Sequence, residues 1–109
     1  MATTTDFIDF VCSQIAAAGE VRSRKMFGDY VVYLDEKPVI TVCDGICYVK
    51  KLPAIDAMMR DAECGFPYEG AREHYILDIA HGDHAMRVVR AVWESVPFPK
   101  KRNRKGGTE

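Results

Sequence analysis

Arg24-Lys25-Met26-Phe27-Gly28-Asp29-Tyr30-Val31-Val32-Tyr33-Leu34 opens the part of the chain that decides the fold, and the pattern runs on to Lys50. From Tyr30 to Leu34 the residues are almost all aromatic or β-branched, which is strand chemistry. Asp35-Glu36-Lys37-Pro38 interrupts with turn formers, and Val39-Ile40-Thr41-Val42-Cys43 resumes the strand pattern. Asp44-Gly45 is a two-residue hairpin signal, because a type I′ turn needs positive φ at both central positions. Ile46-Cys47-Tyr48-Val49 then runs back. The stretch therefore predicts three antiparallel strands joined by two tight turns. Gly28 lies between the apolar pair Met26-Phe27 and the strand, where it serves either a bulge or close backbone approach or a plain entry turn.

Upstream, Thr3-Thr4-Thr5 offers N-cap hydroxyls ahead of Asp6. Phe7, Phe10, Val11, Ile15 and Ala18 then recur at helical spacing, and Gly19 ends the predicted helix. Glu20 to Lys25 is polar, with Arg22, Arg24 and Lys25 forming an anion-binding patch or a solvated run paired with Glu20 and Asp29. Downstream, Pro53 suits a first helical position, and Ala54–Glu63 predicts a helix with Ile55, Met58 and Met59 on one face. Phe66–Glu69 and His74–Asp78 read as short strands, with Pro67 assigning the first of them to an edge. Asp83 is the expected cap of a last helix that buries Ala85, Met86, Val89, Val92, Trp93 and Val96 and stops at Pro97 and Pro99. The order α-β-β-β-α-β-β-α implies an α+β fold, a two-layer α/β sandwich with an antiparallel sheet and helices packed on one face.

A chain of 109 residues, 48% hydrophobic and 28% charged, supports one soluble domain with one core. That domain is assigned to residues 1–99. Residues 100–109 form a basic tail that is expected to be disordered. Residues 97–109 carry Lys100, Lys101, Arg102, Arg104 and Lys105 against Glu109, a local +4 within a chain total of −1. The N-terminus has no basic start and apolar core of a signal peptide, and the expected location is cytoplasmic. Cys12, Cys43, Cys47 and Cys64 are then expected as thiols. A two-residue turn would pair Cys43 with Ile46 and send Cys47 to the other face of the sheet.

No nucleophile-base arrangement, phosphate loop or dinucleotide fingerprint occurs, so the chain is expected to be no enzyme and to need no cofactor. His81 and His84 read as surface histidines rather than metal ligands. The basic tail suits weak, sequence-independent nucleic-acid contact through Lys100, Lys101, Arg102, Arg104 and Lys105, or plain solvation. It has no aromatic side chain on which a base could stack.

The Arg24-Lys25-Met26-Phe27-Gly28 block, with Tyr33-Leu34-Asp35 and Asp44-Gly45-x-x-Tyr48-Val49-Lys50 at this spacing, resembles the N-terminal domain of the TfoX (Sxy) family over roughly residues 5–96. The family often has a second glycine after Met-Phe-Gly, where Asp29 stands here. The resemblance implies the same two-layer fold and a non-enzymatic regulatory, protein-interaction role in bacterial competence and transcription, alongside the cyclic-AMP receptor protein at promoters. It also implies a chain lacking the C-terminal domain of the full-length regulators. The expected partner is a protein, with the transcription machinery as the candidate source, no membrane is involved, and the chain is monomeric or homodimeric. The candidate binding surface is Arg24, Lys25, Phe27, Gly28 and Tyr30. The alternative is a small-molecule domain whose anionic ligand lies among Tyr30, Tyr33, Tyr48 and the Arg22–Lys25 cluster.

Overall fold

The computed structural model describes residues 3–26 and 29–98. Helix α1 spans Thr5–Ile15 and is followed by a 3-10 turn at Ala16–Ala18. Four strands come next: β1 Val21–Met26, β2 Asp29–Leu34, β3 Lys37–Cys43 and β4 Ile46–Lys50. A 3-10 turn at Pro53–Ile55, the short strands β5 Cys64–Gly65 and β6 His74–Ile76, and helix α2 Gly82–Ser95 complete the order. The six strands form one antiparallel sheet in the order β1-β2-β3-β4-β6-β5. The fold is α+β, as the residue pattern predicts.

Each helix has a local cause. Thr4 caps α1 by accepting from the Phe7 amide at 3.1 Å. Asp6 sits in the first turn, where the helix dipole favours an acid. Ile8, Val11 and Ile15 are the buried stripe, while Phe10 remains 41% exposed. The stripe is thus rotated from the one expected on Phe10. In α2 the buried face is Ala85, Val88, Val89 and Val92. Its N-cap is His81 without a side-chain bond, and Asp83 lies inside the first turn rather than at the cap. Gln14 of α1 closes this end by donating from Nε2 to the Ile79 and Ala80 carbonyls at 2.9 and 3.2 Å.

Both helices cover one face of the sheet. Val32 and Leu34 of β2, Val39, Ile40 and Val42 of β3, and Cys47 and Val49 of β4 meet the helical stripes in a single core. Thr41, Tyr48 and Lys50 alternate to the other face, the period-2 consequence of the pleat. Val39 falls at a register shift between β2 and β3, which lets it join Ile40 in the core.

The structure revises the reading of three segments. Residues 21–25, read as a polar basic run, supply most of β1, registered from Val21↔Leu34 to Met26↔Asp29. Its alternation is Val-Arg-Ser-Arg-Lys-Met, too polar to signal a strand, and pairing with the strongly β-forming β2 overrides that composition. Ala54–Glu63 is no continuous helix. After Pro53–Ile55 it continues as turns, held by Met59 N–H to Ile55 O at 2.9 Å and Ala62 N–H to Met59 O at 3.1 Å. Ten residues are marginal as a helix without packing, and here only Ile55 and Met59 are fully buried while Met58 is exposed. The strand expected over Phe66–Glu69 forms instead at Cys64–Gly65, just ahead of Pro67, and it is the sheet edge that the proline implied.

The two hairpin turns behave differently. Asp44 and Gly45 have φ of 52° and 74°, as a type I′ turn requires. Asp35 and Glu36 also have positive φ, 44° and 71°, with no glycine to relieve them. Asp35 is held there by its surroundings. Its amide donates to Glu20 O at 2.8 Å, and its Oδ1 accepts from the Glu20 amide at 2.9 Å. Gly19 makes that contact possible, because a Cβ at this position would lie 2.5 Å from Asp35 Oδ2.

Candidate functional site

Among the described residues, strand β1 lies at the end of the sheet and pairs with β2 alone, so no described strand adjoins the other side of its backbone. The opposite edge, β5, is two residues long. β1 is therefore the long open edge, and four of its six residues are exposed. Its register sorts its cations. Arg22↔Tyr33 and Arg24↔Val31 lie on the face away from the helices, while Lys25↔Tyr30 lies on the helical face, where Tyr30 packs against the core. Arg22 is engaged: it stacks 4.3 Å over the Tyr33 ring and donates to Glu36 Oε1 at 3.2 Å. The partners of this cation are thus Tyr33 and Glu36, not Glu20. Neither Arg24 nor Lys25 has an ion pair among the described residues.

The expected surface is consequently split. Arg24 and Lys25 share the open edge but point to opposite faces, and Tyr30 is half-buried beside Lys25. Phe27 and Gly28 lie outside the described residues, as do Lys100, Lys101, Arg102, Arg104 and Lys105. The alternative anionic pocket does not assemble, because Tyr30 faces the helices and Tyr33 carries Arg22 on the other side.

Asp29 ties this end of the sheet together. Its Oδ1 accepts from Thr3 Oγ1 and from the Asp44 amide, both at 3.2 Å, and Thr3 Oγ1 accepts from the Gly45 amide at 3.0 Å. The carboxylate thereby fastens the start of β2 to the β3–β4 hairpin. A glycine at position 29 could not do this. Beside it, a pocket of about 430 Å³ is lined by Met26, Asp29, Tyr30, Val31, Thr41, Cys43 and Tyr68.

The thiols follow the hairpin register. Cys43 pairs with Ile46 and Cys47 with Val42, so the two cysteines face opposite sides, as the two-residue turn predicts. All four cysteines are free. Burial pushes the Cys47 thiol up to about 12. Burial, then the nearby Asp29 and Asp44 charges and a hydrogen bond to Asp29, pushes Cys43 up to about 11. A folded chain that holds these protons while an unfolded one releases them is stabilised below the ordinary thiol value of 9.0, and that advantage is lost as pH rises through 11 to 12. The urea midpoint is therefore expected to fall with pH above about 9, and to fall less steeply in Cys47→Ala measured against its own neutral-pH value. An unchanged slope in that variant would assign the alkaline loss to other groups.

His81 and His84 stand with ring centroids 5.8 Å apart. Among the described residues no group of three or more His, Cys, Asp or Glu side chains is placed to hold a metal ion. Among the same residues no helix is long and apolar enough to cross a membrane.

The TfoX N-terminal domain family model matches residues 13–96. The chain belongs to the TfoX N-terminal domain family. The match includes the whole β1–β4 meander and both short strands. The chain is also similar to the "uncharacterized 12.7 kDa protein in trpE 5′ region" of Spirochaeta aurantia, with 32% identity over 110 aligned positions covering 99% of this chain and 96% of that protein. What sequence reading missed in this TfoX N-terminal domain is that its cationic run is itself a strand. The signal available was its six-residue length with Val21 and Met26 at the ends.

Proposed function

We propose that this TfoX N-terminal domain is a non-enzymatic regulatory module that acts in the cytoplasm by binding a protein, and that β1 is its docking edge. The observation that carries this reading is the open edge of β1, six residues long with Arg24 and Lys25 unpaired among the described residues. An extended segment of a partner would add to the sheet there by main-chain hydrogen bonds. The occupant favoured by charge is acidic. A second copy of β1 is disfavoured, because antiparallel self-pairing about Ser23 sets Arg22 opposite Arg24, and self-pairing about Arg24 sets that arginine opposite its own copy. Family membership supports a role in transcription regulation, with a component of the transcription machinery as the partner.

The test is affinity capture from native extract under cross-linking, with the parent chain, the double variant Arg24→Glu/Lys25→Glu and a chain ending at Pro99. Retention of a transcription protein by the parent and the shortened chain, reduced about tenfold in the double variant, is the expected result, since rim charges govern encounter and salt dependence. Recovery of no transcription protein by the parent would overturn the reading. Nucleic acid retained only with residues 100–109 present would move function to the tail.

A further inference from the structure

The face of the sheet away from the helices carries a second feature, independent of the β1 edge. The segment from Tyr68 to His74 borders, with residues of β3 and β4, an open cleft of about 710 Å³, within the range of small-molecule sites. Thr41 and Lys50 come from the sheet, Tyr68 and Arg72 from the segment, and His74 from β6. A turn shapes the segment: Ala71 N–H donates to Tyr68 O at 3.1 Å, and Gly70 at φ 86° takes the left-handed position that favours glycine.

The charges in this cleft do not cancel. Lys51 and Glu73 neutralise each other, with Nζ 2.7 Å from Oε1. Lys50 and Arg72 are exposed and have no ion pair among the described residues. Two cations are thus left for a ligand. His74 is oriented as well. Its Nδ1 lies 2.7 Å from Arg72 O, a carbonyl that can only accept, so Nδ1 carries the hydrogen and Nε2 is left for another contact. Tyr48 holds the ring edge-on, with centroids 6.4 Å apart at 89°. At the rim, Tyr68 is 63% exposed, so its side chain is accessible to a ligand in the cleft.

We propose that this cleft binds a small phosphomonoester carrying a planar ring, with the phosphate between Lys50 and Arg72 and the ring against Tyr68. A phosphomonoester carries about −1.5 to −2 at neutral pH, which matches the two uncommitted cations. A stacked ring adds contact that a bare ion lacks.

The experiment uses the full chain and three probes in amide-resolved NMR titrations: phenyl phosphate, adenosine 5′-monophosphate and inorganic phosphate. The ring-bearing esters are expected to shift the amides of Thr41, Lys50, Arg72 and His74 saturably, and to bind at least about tenfold more tightly than inorganic phosphate. Preference between the two esters separates a simple aryl phosphate from a nucleotide, and either outcome supports the site. Lys50→Ala/Arg72→Ala should weaken both esters by about tenfold or more with an unchanged melting temperature, since neither side chain is buried. Tyr68→Ala should bring the esters down to the inorganic-phosphate level. Absence of saturation up to ~10 mM, shifts confined to other residues, equal binding of esters and inorganic phosphate, or full binding by the double variant would each overturn the proposal.

Discussion

Lys37→Ala is expected to lower the unfolding free energy by about 2–4 kcal/mol, the combined loss of a charge-assisted hydrogen bond and a desolvated cation–π contact. Lys37 is only 8% exposed although it begins an otherwise ordinary strand. The reason lies at the end of α2. The Trp93 carbonyl would normally accept from the amide four residues on, but that residue is Pro97, which has no N–H. Lys37 Nζ takes the vacant place at 2.9 Å and brings a positive charge to the negative end of the helix dipole. The same ammonium lies 3.9 Å from the centroid of Trp93 and 4.7 Å from that of Phe98. The two rings meet edge to face, with centroids 6.1 Å apart, and Trp93 Nε1 donates to Asp35 O at 3.4 Å. Trp93, expected among the buried residues of the last helix, is therefore only partly buried at the margin of the core. It is the half-buried wall of a cation site that joins the β2–β3 turn to α2.

Urea denaturation read by the fluorescence of this single tryptophan checks the point, because the probe sits on the contact it reports. Lys37→Met separates the contributions. Methionine refills most of the volume and cannot donate, so it should recover part but not all of the loss, the isosteric replacement of a buried charge being cheaper than its deletion. An alanine variant within about 0.5 kcal/mol of the parent would show that the carbonyl is satisfied by water instead.

Ile55→Ala is expected to cost about 2–5 kcal/mol, and Met58→Ala less than about 0.5 kcal/mol, although the two lie three residues apart in one segment. Ile55 is wholly buried and Met58 is 38% exposed. The difference follows from the absence of a regular helix over residues 54–63, which leaves Ile55 and Met59 to anchor a succession of turns beneath α2. For a domain of this size the Ile55→Ala loss corresponds to a melting point lower by roughly 8–30 °C. Comparable costs at both positions would mean that the segment buries a continuous helical face after all.

The pattern of the sheet was legible in the residues because strand signals there are local. Tyr30-Val31-Val32-Tyr33-Leu34, the Asp44-Gly45 turn and the opposite facing of Cys43 and Cys47 follow from side-chain chemistry and a period of two. The two terminal helices were legible for the same reason, both from apolar residues three and four apart and α1 also from a capping threonine. Membership of the TfoX N-terminal domain family was equally readable from the spacing of short blocks.

What the chain alone could not settle depended on neighbours distant in sequence. Val21–Met26 becomes a strand because β2 offers a partner, and that pairing sends Arg24 and Lys25 to opposite faces. Lys37 becomes a buried cation because Pro97, sixty residues on, leaves a carbonyl open. Lys50 and Arg72, twenty-two residues apart, line one cleft only because the segment before β6 comes beside the sheet. In each case the residue type was plain from the start. Its role was set by which groups tertiary packing left without a partner, since a buried or converging polar group must be satisfied by whatever the fold brings near.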